Sequence, residues 1–461
     1  MDLLKSIFKG DKVIWIIFLF LCLISITEVF SAASTLTYKS GDHWGPITQH
    51  SIILMVGAVI VVLMHNIPYK WFQVFPVFLL PASAILLVLV MMMERINGAA
   101  RWMTFMGIQF QPSEIAKMAV IIVTAFILSK GQDEDGAHPK AFKRIMIITG
   151  AICLLIAPEN LSTAALLFGV VFLMMFIGRV SAKKLLVLIG GLTSVGVIAV
   201  TFLLMTKNSD IPFLHRFDTW RARIEKFTND EEVPAAKFDI DKDAQIAHAR
   251  IAVATSNVVG KGPGNSVQRD FLSQAFSDFI FAIIIEELGL VGGVIVVFLY
   301  ICLLIRVGRI AKKCDRTFPA FLIIGIALLL VSQAVFNMMV AVGLAPVTGQ
   351  PLPLISKGGT STLINCAYIG MILYVYWGGS TGLFFINSKT GNSYIIRKVN
   401  GSMISEIEFK RKNDHLFVRS KTNTASFRVS ALFLDTTGVD LSLSMNIVDE
   451  NLDDAEDIEI R

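Results

Sequence analysis

The sequence predicts an all-α polytopic membrane protein: about ten transmembrane helices, a large extracytoplasmic loop and a cytoplasmic C-terminal tail. Three observations carry that prediction. Of 461 residues, 54% are hydrophobic and only 17% charged, with mean hydropathy +0.66; a soluble globular chain is about 45–50% apolar and 25% charged. The apolar residues gather in runs long enough to cross a hydrocarbon core, which takes about 20 residues of helix. Lys and Arg concentrate in alternate connections between those runs, the asymmetry that sets orientation. This balance excludes a soluble multidomain enzyme, a secreted protein and a disordered chain.

The runs cover 13–33, 49–65, 71–93, 112–129, 143–158, 160–178, 184–205, 279–305, 318–343 and 360–377. Only Pro158-Glu159-Asn160 separates the fifth from the sixth, so these two form a tight helical hairpin. The first run is too long for a cleavable signal peptide and lacks a small-residue cleavage site. With the N-terminus inside, the inner connections hold sixteen Lys and Arg residues, including Lys140, Lys143, Arg144, Arg306 and Arg309. The short outer loops hold four: Lys39, Arg95, Arg101 and Lys357. Both termini are therefore expected in the cytoplasm. The net charge of +5 is modest, and nucleic acid is not an expected partner. Cys22, Cys153, Cys302 and Cys366 lie in apolar runs and Cys314 in a basic loop. No pair has CxxC or metal-ligand spacing, so they read as small hydrophobes with free thiols.

Two segments fall outside the bundle of 1–378. The 206–278 outer loop is polar and far longer than a helix connection needs, a hint of function. The 379–461 tail carries alternating stretches such as Phe427-Arg428-Val429-Ser430 and then an acidic run, predicting short strands followed by a disordered end.

Ionisable residues at membrane depth are costly and mark candidate sites. Glu114 and Lys117 stand three residues apart at the start of the fourth run, on one helix face and able to pair. Glu114 also suits a helix start after Pro112-Ser113, with Lys117 neutralising it. Asp278 opens the eighth run, where it reads either as a functional carboxylate or as a helix N-cap. Glu286 and Glu287 lie deeper in that run and must face protein or water with basic partners. A structural reading is preferred for them, with Gly289, Gly292 and Gly293 allowing a neighbouring helix close approach. Three Gly-rich turns lie on the outer side, at 98–102, 260–266 and 351–361. Their backbone N–H groups can hold anionic oxygens, and with Arg101 and Lys357 beside them they point to an anionic outer ligand.

Four motifs carry a resemblance. They are Arg101-Trp102 with Gln111-Pro112-Ser113-Glu114-Ile115-Ala116-Lys117; Gly260-Lys261-Gly262-Pro263-Gly264-Asn265-Ser266; Ser277-Asp278-Phe279-Ile280-Phe281-Ala282; and Leu352-Pro353-Leu354-Ile355-Ser356-Lys357-Gly358-Gly359. In order and spacing the chain resembles the SEDS family (shape, elongation, division and sporulation) over residues 10–375, its division members more than its elongation members. The resemblance implies a peptidoglycan glycosyltransferase polymerising lipid II at the outer face of the bacterial cytoplasmic membrane, at the division site. It also implies a class B penicillin-binding protein and other division proteins as partners. By the same resemblance Asp278 is essential, and Arg101 and Lys117 are functionally important.

Chemistry agrees with those assignments. A sugar hydroxyl attacking an anomeric carbon needs a base, the role of Asp278. A departing pyrophosphate needs cations or backbone donors. Arg101, Lys117, Lys357, Arg216 and Arg221 are candidates, with Glu114, Ser356 and Gly358 beside them. The sequence names no definite cofactor, a divalent cation being the one open candidate. Departures from the family pattern are Ile285 before the Glu pair, Lys357 where Tyr is frequent, Glu159 in place of a Pro-Asp-Leu-Gly type motif, and the tail. Other classes the sequence admits are a lipid II flippase, disfavoured because the polar residues crowd the outer half, and a non-catalytic division scaffold.

Overall fold

A computed structural model describes residues 10–32, 45–67, 69–93, 101–105, 108–133, 136–205, 243–272, 275–314, 316–378, 395–400, 403–412, 415–420, 427–434, 440–447 and 458–460. Arg216, Arg221 and Gly98 lie outside them. The chain divides into two compact units, 1–375 and 376–461.

In the first unit the elements run α1 (Lys12–Ala32), α2 (Gly45–Asn66), α3 (Tyr69–Met91), β1 (Met103–Phe105), β2 (Ile108–Phe110), α4 (Pro112–Ser129), β3 (Gln132–Asp133), β4 (Gly136–Ala137), α5 (Ala141–Ile156), α6 (Leu161–Ile177) and α7 (Ala182–Met205). There follow α8 (Asp243–Ala254), α9 (Ile280–Lys312), α10 (Thr317–Ala341) and α11 (Thr360–Gly378). Every apolar run of the sequence coincides with one of these helices. Among the described residues six helices have the length and apolarity to cross a membrane: Lys12–Ala32, Ile47–Asn66, Trp71–Met91, Pro112–Ser129, Ile280–Lys312 and Thr317–Ala341. The chain is a multi-pass membrane protein.

Helix α4 is the central one, two-thirds of its span being buried inside the protein against about a fifth for α2 and α3. It packs against α3, α5, α6 and α10, and α10 packs in turn against α6 and α9. Gly325 lies where α10, α6 and α4 meet: a Cβ there would come within 3 Å of Met174 and Ile121, so a bare Cα sets the crossing. Asn160 caps α6, its Oδ1 accepting from the Thr163 amide at 3.1 Å; this and Pro158 make the expected α5–α6 hairpin.

Helix α9 is the least regular. Its 33 residues include Gly289 at φ 72°, ψ −173°, which divides it in two. The piece after the break is about 34 Å long at 1.5 Å per residue, enough to cross the core alone. The piece before it, 280–288, is buried almost throughout. The freed backbone groups at the break are taken by the preceding loop. Gly262 N donates to the Glu287 carbonyl at 2.8 Å, Lys261 N to that of Glu286 at 3.0 Å, and Leu290 N to Asn257 at 3.2 Å. Backbones come so close that a Cβ on Gly260 would lie 2.3 Å from the Glu287 carbonyl oxygen, and one on Gly289 2.3 Å from that of Val258. Gly289 therefore admits a loop, where the sequence predicted a helix. Gly292 and Gly293 lie against Leu288 and Ile285 of their own helix.

The second unit holds strands β5 (Ile395–Asn400), β6 (Met403–Lys412), β7 (His415–Ser420), β8 (Phe427–Leu434), β9 (Asp440–Ile447) and β10 (Ile458–Ile460). Strands β5, β6 and β7 form an antiparallel meander extended by β10, while β8 and β9 pair separately. The expected short strands are present. At the acidic end the last three residues pair with β7, Ile458 opposite Val418. Ile458-Glu459-Ile460 alternates with the period of a strand.

Candidate functional site

Polar side chains converge on the turn after α10, Thr348-Gly349-Gln350. Gly349 adopts φ 68°, the left-handed region that favours glycine. A Cβ on it would start 3.5 Å from Arg101 Nη1 and 3.6 Å from Asp278 Oδ2. The guanidinium and the carboxylate thus face one bare stretch of backbone. Arg101, just before β1, is anchored by Nε donation to the Glu159 carbonyl at 2.7 Å in the α5–α6 turn.

Asp278 lies in the turn leading into α9. It is not the N-cap, a position held by Phe279 without a side-chain cap; its Oδ1 instead accepts from Ser277 Oγ at 3.0 Å. Burial pushes the Asp278 carboxyl above the ordinary 3.8, with the Ser277 hydroxyl and the Arg101 charge pulling the other way. Desolvation wins because it penalises the charged form alone.

The segment after that turn is zipped to the residues before Asp278. Ser356 Oγ donates to the Ser277 carbonyl at 2.6 Å and accepts from Leu352 N at 2.8 Å. Lys357 N donates to the Phe276 carbonyl at 2.9 Å, and its Nζ lies 5.6 Å from the Phe276 ring centroid, within cation–π range. Partial burial lowers the Lys357 pKa. Gly358 follows, its carbonyl accepting from Ser361 N at 3.1 Å at the start of α11. Leu354 sits at φ 65°, held by Tyr300, whose hydroxyl donates to the Pro353 carbonyl, and by Ser25, whose hydroxyl donates to the Ile355 carbonyl at 2.6 Å. With its one proton so used, Ser25 Oγ accepts from His50 Nε2 at 2.7 Å.

Lys117 and Glu114 form the expected pair, Nζ to Oε1 2.7 Å, with side chains 0% and 3% exposed. They are closed to solvent and join the turn only indirectly, Lys117 donating to Gln333 Oε1 at 3.2 Å. Arg101 and Asp278 are therefore the predicted residues brought together at Gly349; Ser356 and Lys357 bond the backbone just before Asp278, and Lys117 and Glu114 reach the turn through Gln333. Beside Arg101 lies a small open cleft of about 20 Å³, room for little more than a water-sized group. Its lining mixes apolar residues, among them Leu87, Val90 and Leu155, with polar ones, Ser113, Glu159 and Asn160. Ser113 Oγ and Asn160 Nδ2 are buried with no hydrogen-bond partner among the described residues, so the cleft offers polar atoms to a small polar group beside Arg101.

The Gly260–Ser266 turn does hold anionic oxygens, but they are the chain's own. Lys261 Nζ meets Glu286 Oε1 at 2.5 Å, Ser266 Oγ donates to Glu286 Oε2 at 2.5 Å, and Gly264 N to Glu287 Oε2 at 2.9 Å. Ser31 Oγ also donates to Glu287, and Arg269 Nη1 lies 3.7 Å from it. The structural reading of this pair holds, and the turn is not free for an outside anion.

Gln333, Asn337, Gln350, Thr163, Ser25 and His50 escaped the sequence analysis, which weighed charge within spans and passed over neutral amides. The signal was present: Gln333 and Asn337 stand four apart in an otherwise apolar run.

Fold and site together define a polytopic helical membrane protein with an acid–cation pair at its helix ends. The model of the cell cycle protein family FTSW_RODA_SPOVE matches residues 11–377, and the chain belongs to that family. It is 30% identical over 382 residues to the probable peptidoglycan glycosyltransferase FtsW of Geobacter metallireducens, covering 81% of this chain and 96% of the relative. It is 31% identical over 375 residues to the protein of that name from Trichlorobacter lovleyi, covering 80% and 93%. Among solved structures it resembles a chain of a peptidoglycan synthase complex that coordinates polymerization and crosslinking (TM-score 0.63, 24% identity, 80% of this chain and 98% of that one). It also resembles the rod shape determining protein RodA of Thermus thermophilus (TM-score 0.55, 23% identity, 80% and 97%).

Proposed function

We propose that the chain is a peptidoglycan glycosyltransferase. It polymerises lipid II at the outer face of the bacterial cytoplasmic membrane during septal wall synthesis and releases undecaprenyl pyrophosphate. The observation that carries this reading is Asp278 facing Arg101 across Gly349, with Arg101 also lining a small cleft of mixed apolar and polar residues. The relatives' names support the activity.

Asp278 takes the proton of the acceptor hydroxyl as that oxygen bonds to the anomeric carbon of the donor sugar. The bond from that carbon to the pyrophosphate oxygen breaks, and the polyprenyl pyrophosphate departs with the electron pair. A raised carboxyl pKa makes Asp278 a stronger base than an exposed aspartate. Charge growing on the leaving group is met by Arg101 and Lys357, and Arg216 and Arg221 of the outer loop are candidates to join them. Lys117 and Glu114 support the turn through Gln333, while Ser356 and Gly358 hold the segment after it. A divalent cation would serve the same leaving group; among the described residues no three His, Cys, Asp or Glu side chains are grouped to bind one. Both termini face the cytoplasm. A class B penicillin-binding protein is the partner, a reading supported by the synthase-complex neighbour.

The test is purified protein with labelled lipid II, with and without that partner. Glycan chains are expected from the unsubstituted protein and none from Asp278→Ala at equal membrane insertion. A flippase or scaffold would make no chains in either case. Because the base must be deprotonated, the rate should fall as pH drops through a midpoint above 3.8. Full activity in Asp278→Ala would sink the assignment.

A further inference from the structure

We propose that Asn337 and Gln333 of α10 are positioning residues that set the distance between Asp278 and the Gly349 turn; the proposal rests on the reading of Asp278 as the base. Both amides are 1% exposed on a helix otherwise built for lipid and core, where an unbonded amide is costly. Asn337 Nδ2 donates to two backbone carbonyls, Asp278 at 2.9 Å and Gln350 at 2.8 Å. Only one amide orientation is possible, because the flipped one would set Oδ1 against two carbonyl oxygens. Gln333, one turn earlier, receives Lys117 Nζ on Oε1 and donates Nε2 to the Pro351 carbonyl at 3.1 Å. Lys117 can only donate, so this amide is fixed as well. Gln350 continues the network to α6, donating Nε2 to Thr163 Oγ1.

One face of α10 thus holds residue 278 on one side and residues 350–351 on the other, with Gly349 between. The carbonyls of Asp278 and Gln350 share a single NH₂ group. Without it two buried acceptors would confront each other, and the cheapest relief would be to move the turn away from Asp278. An apolar residue of the same volume fills the space without supplying the donor, so the role is bonding and not packing.

The experiment uses the full chain with labelled lipid II under conditions where the unsubstituted chain polymerises. Asn337→Ala should lower kcat about 100-fold, the cost of a misplacement near 1 Å, with KM for lipid II within about twofold. The acid limb of the pH–rate profile should move to lower pH as the carboxylate slips toward water. Gln333→Met, which keeps length and removes the amide, should lower kcat in the same manner; it decides the matter if Asn337→Ala does not fold. Unchanged kcat and an unmoved acid limb in a folded variant would overturn the positioning role while Asp278→Ala remained inactive. Activity in Asp278→Ala itself would remove the base reading instead.

Discussion

Lys117 illustrates how far single residues explain the site. It has no exposed side-chain area, and its ammonium is shared between Glu114 and Gln333. Removing one partner of such a pair leaves an uncompensated buried charge, which costs about 3–5 kcal/mol. Lys117→Met should lower the thermal midpoint accordingly, and Glu114→Gln with Lys117→Met should restore most of the loss. Heating followed by size-exclusion of the detergent-solubilised protein measures it; a single variant as stable as the parent would mean the pair adds nothing to the fold. This pair was legible in the sequence because i,i+3 spacing fixes a shared face. Asp278 was legible as a candidate but ambiguous between capping and function, since a helix start looks alike for both. Its proximity to Arg101 could not be read at all, because it depends on Gly349, more than 70 residues from either.

At the scale of elements, hydropathy located all the long helices, since the hydrocarbon core imposes their length and apolarity together. It missed the break at Gly289, which arises from a loop inserting its amides and carbonyls into the helix ladder and leaves no trace in apolar content. Gly289→Ala and Gly260→Ala should each reduce the yield of folded protein sharply, because a methyl at either position would meet backbone at 2.3 Å. Gly169 of α6 has nothing within 4 Å of its Cβ position. Gly169→Ala is the control and should be neutral or stabilising by up to about 1 kcal/mol. Equal yields for all three would argue that the loop and the break are not in intimate contact.

For the whole molecule, composition averages two unlike parts. The contacts described for the site all lie within 1–375, and the strands of the tail form sheets of their own. A chain ending at Gly378 should therefore insert and polymerise lipid II at a rate within about twofold of the full chain, a factor worth only about 0.4 kcal/mol. A null result with normal insertion would assign the tail a part in activity. The presence of multiple apolar spans was legible from hydropathy, while the tail's pairing of Ile458 with Val418 was not, because three residues carry too little pattern to specify a partner strand.

The socket around Glu286 and Glu287 has a consequence for biogenesis. Among the described residues, the side chains and amides bonded to those carboxylates, from Ser31 through Lys261, Gly264, Ser266, Val267, Gln268 and Arg269, all precede them in the chain. Synthesis proceeds at about 5–20 residues per second, so the socket leaves the ribosome within seconds before the acids arrive. The partners are thus already made when the two carboxylates follow, so the order of the segments lets the acids be paired without waiting for later chain.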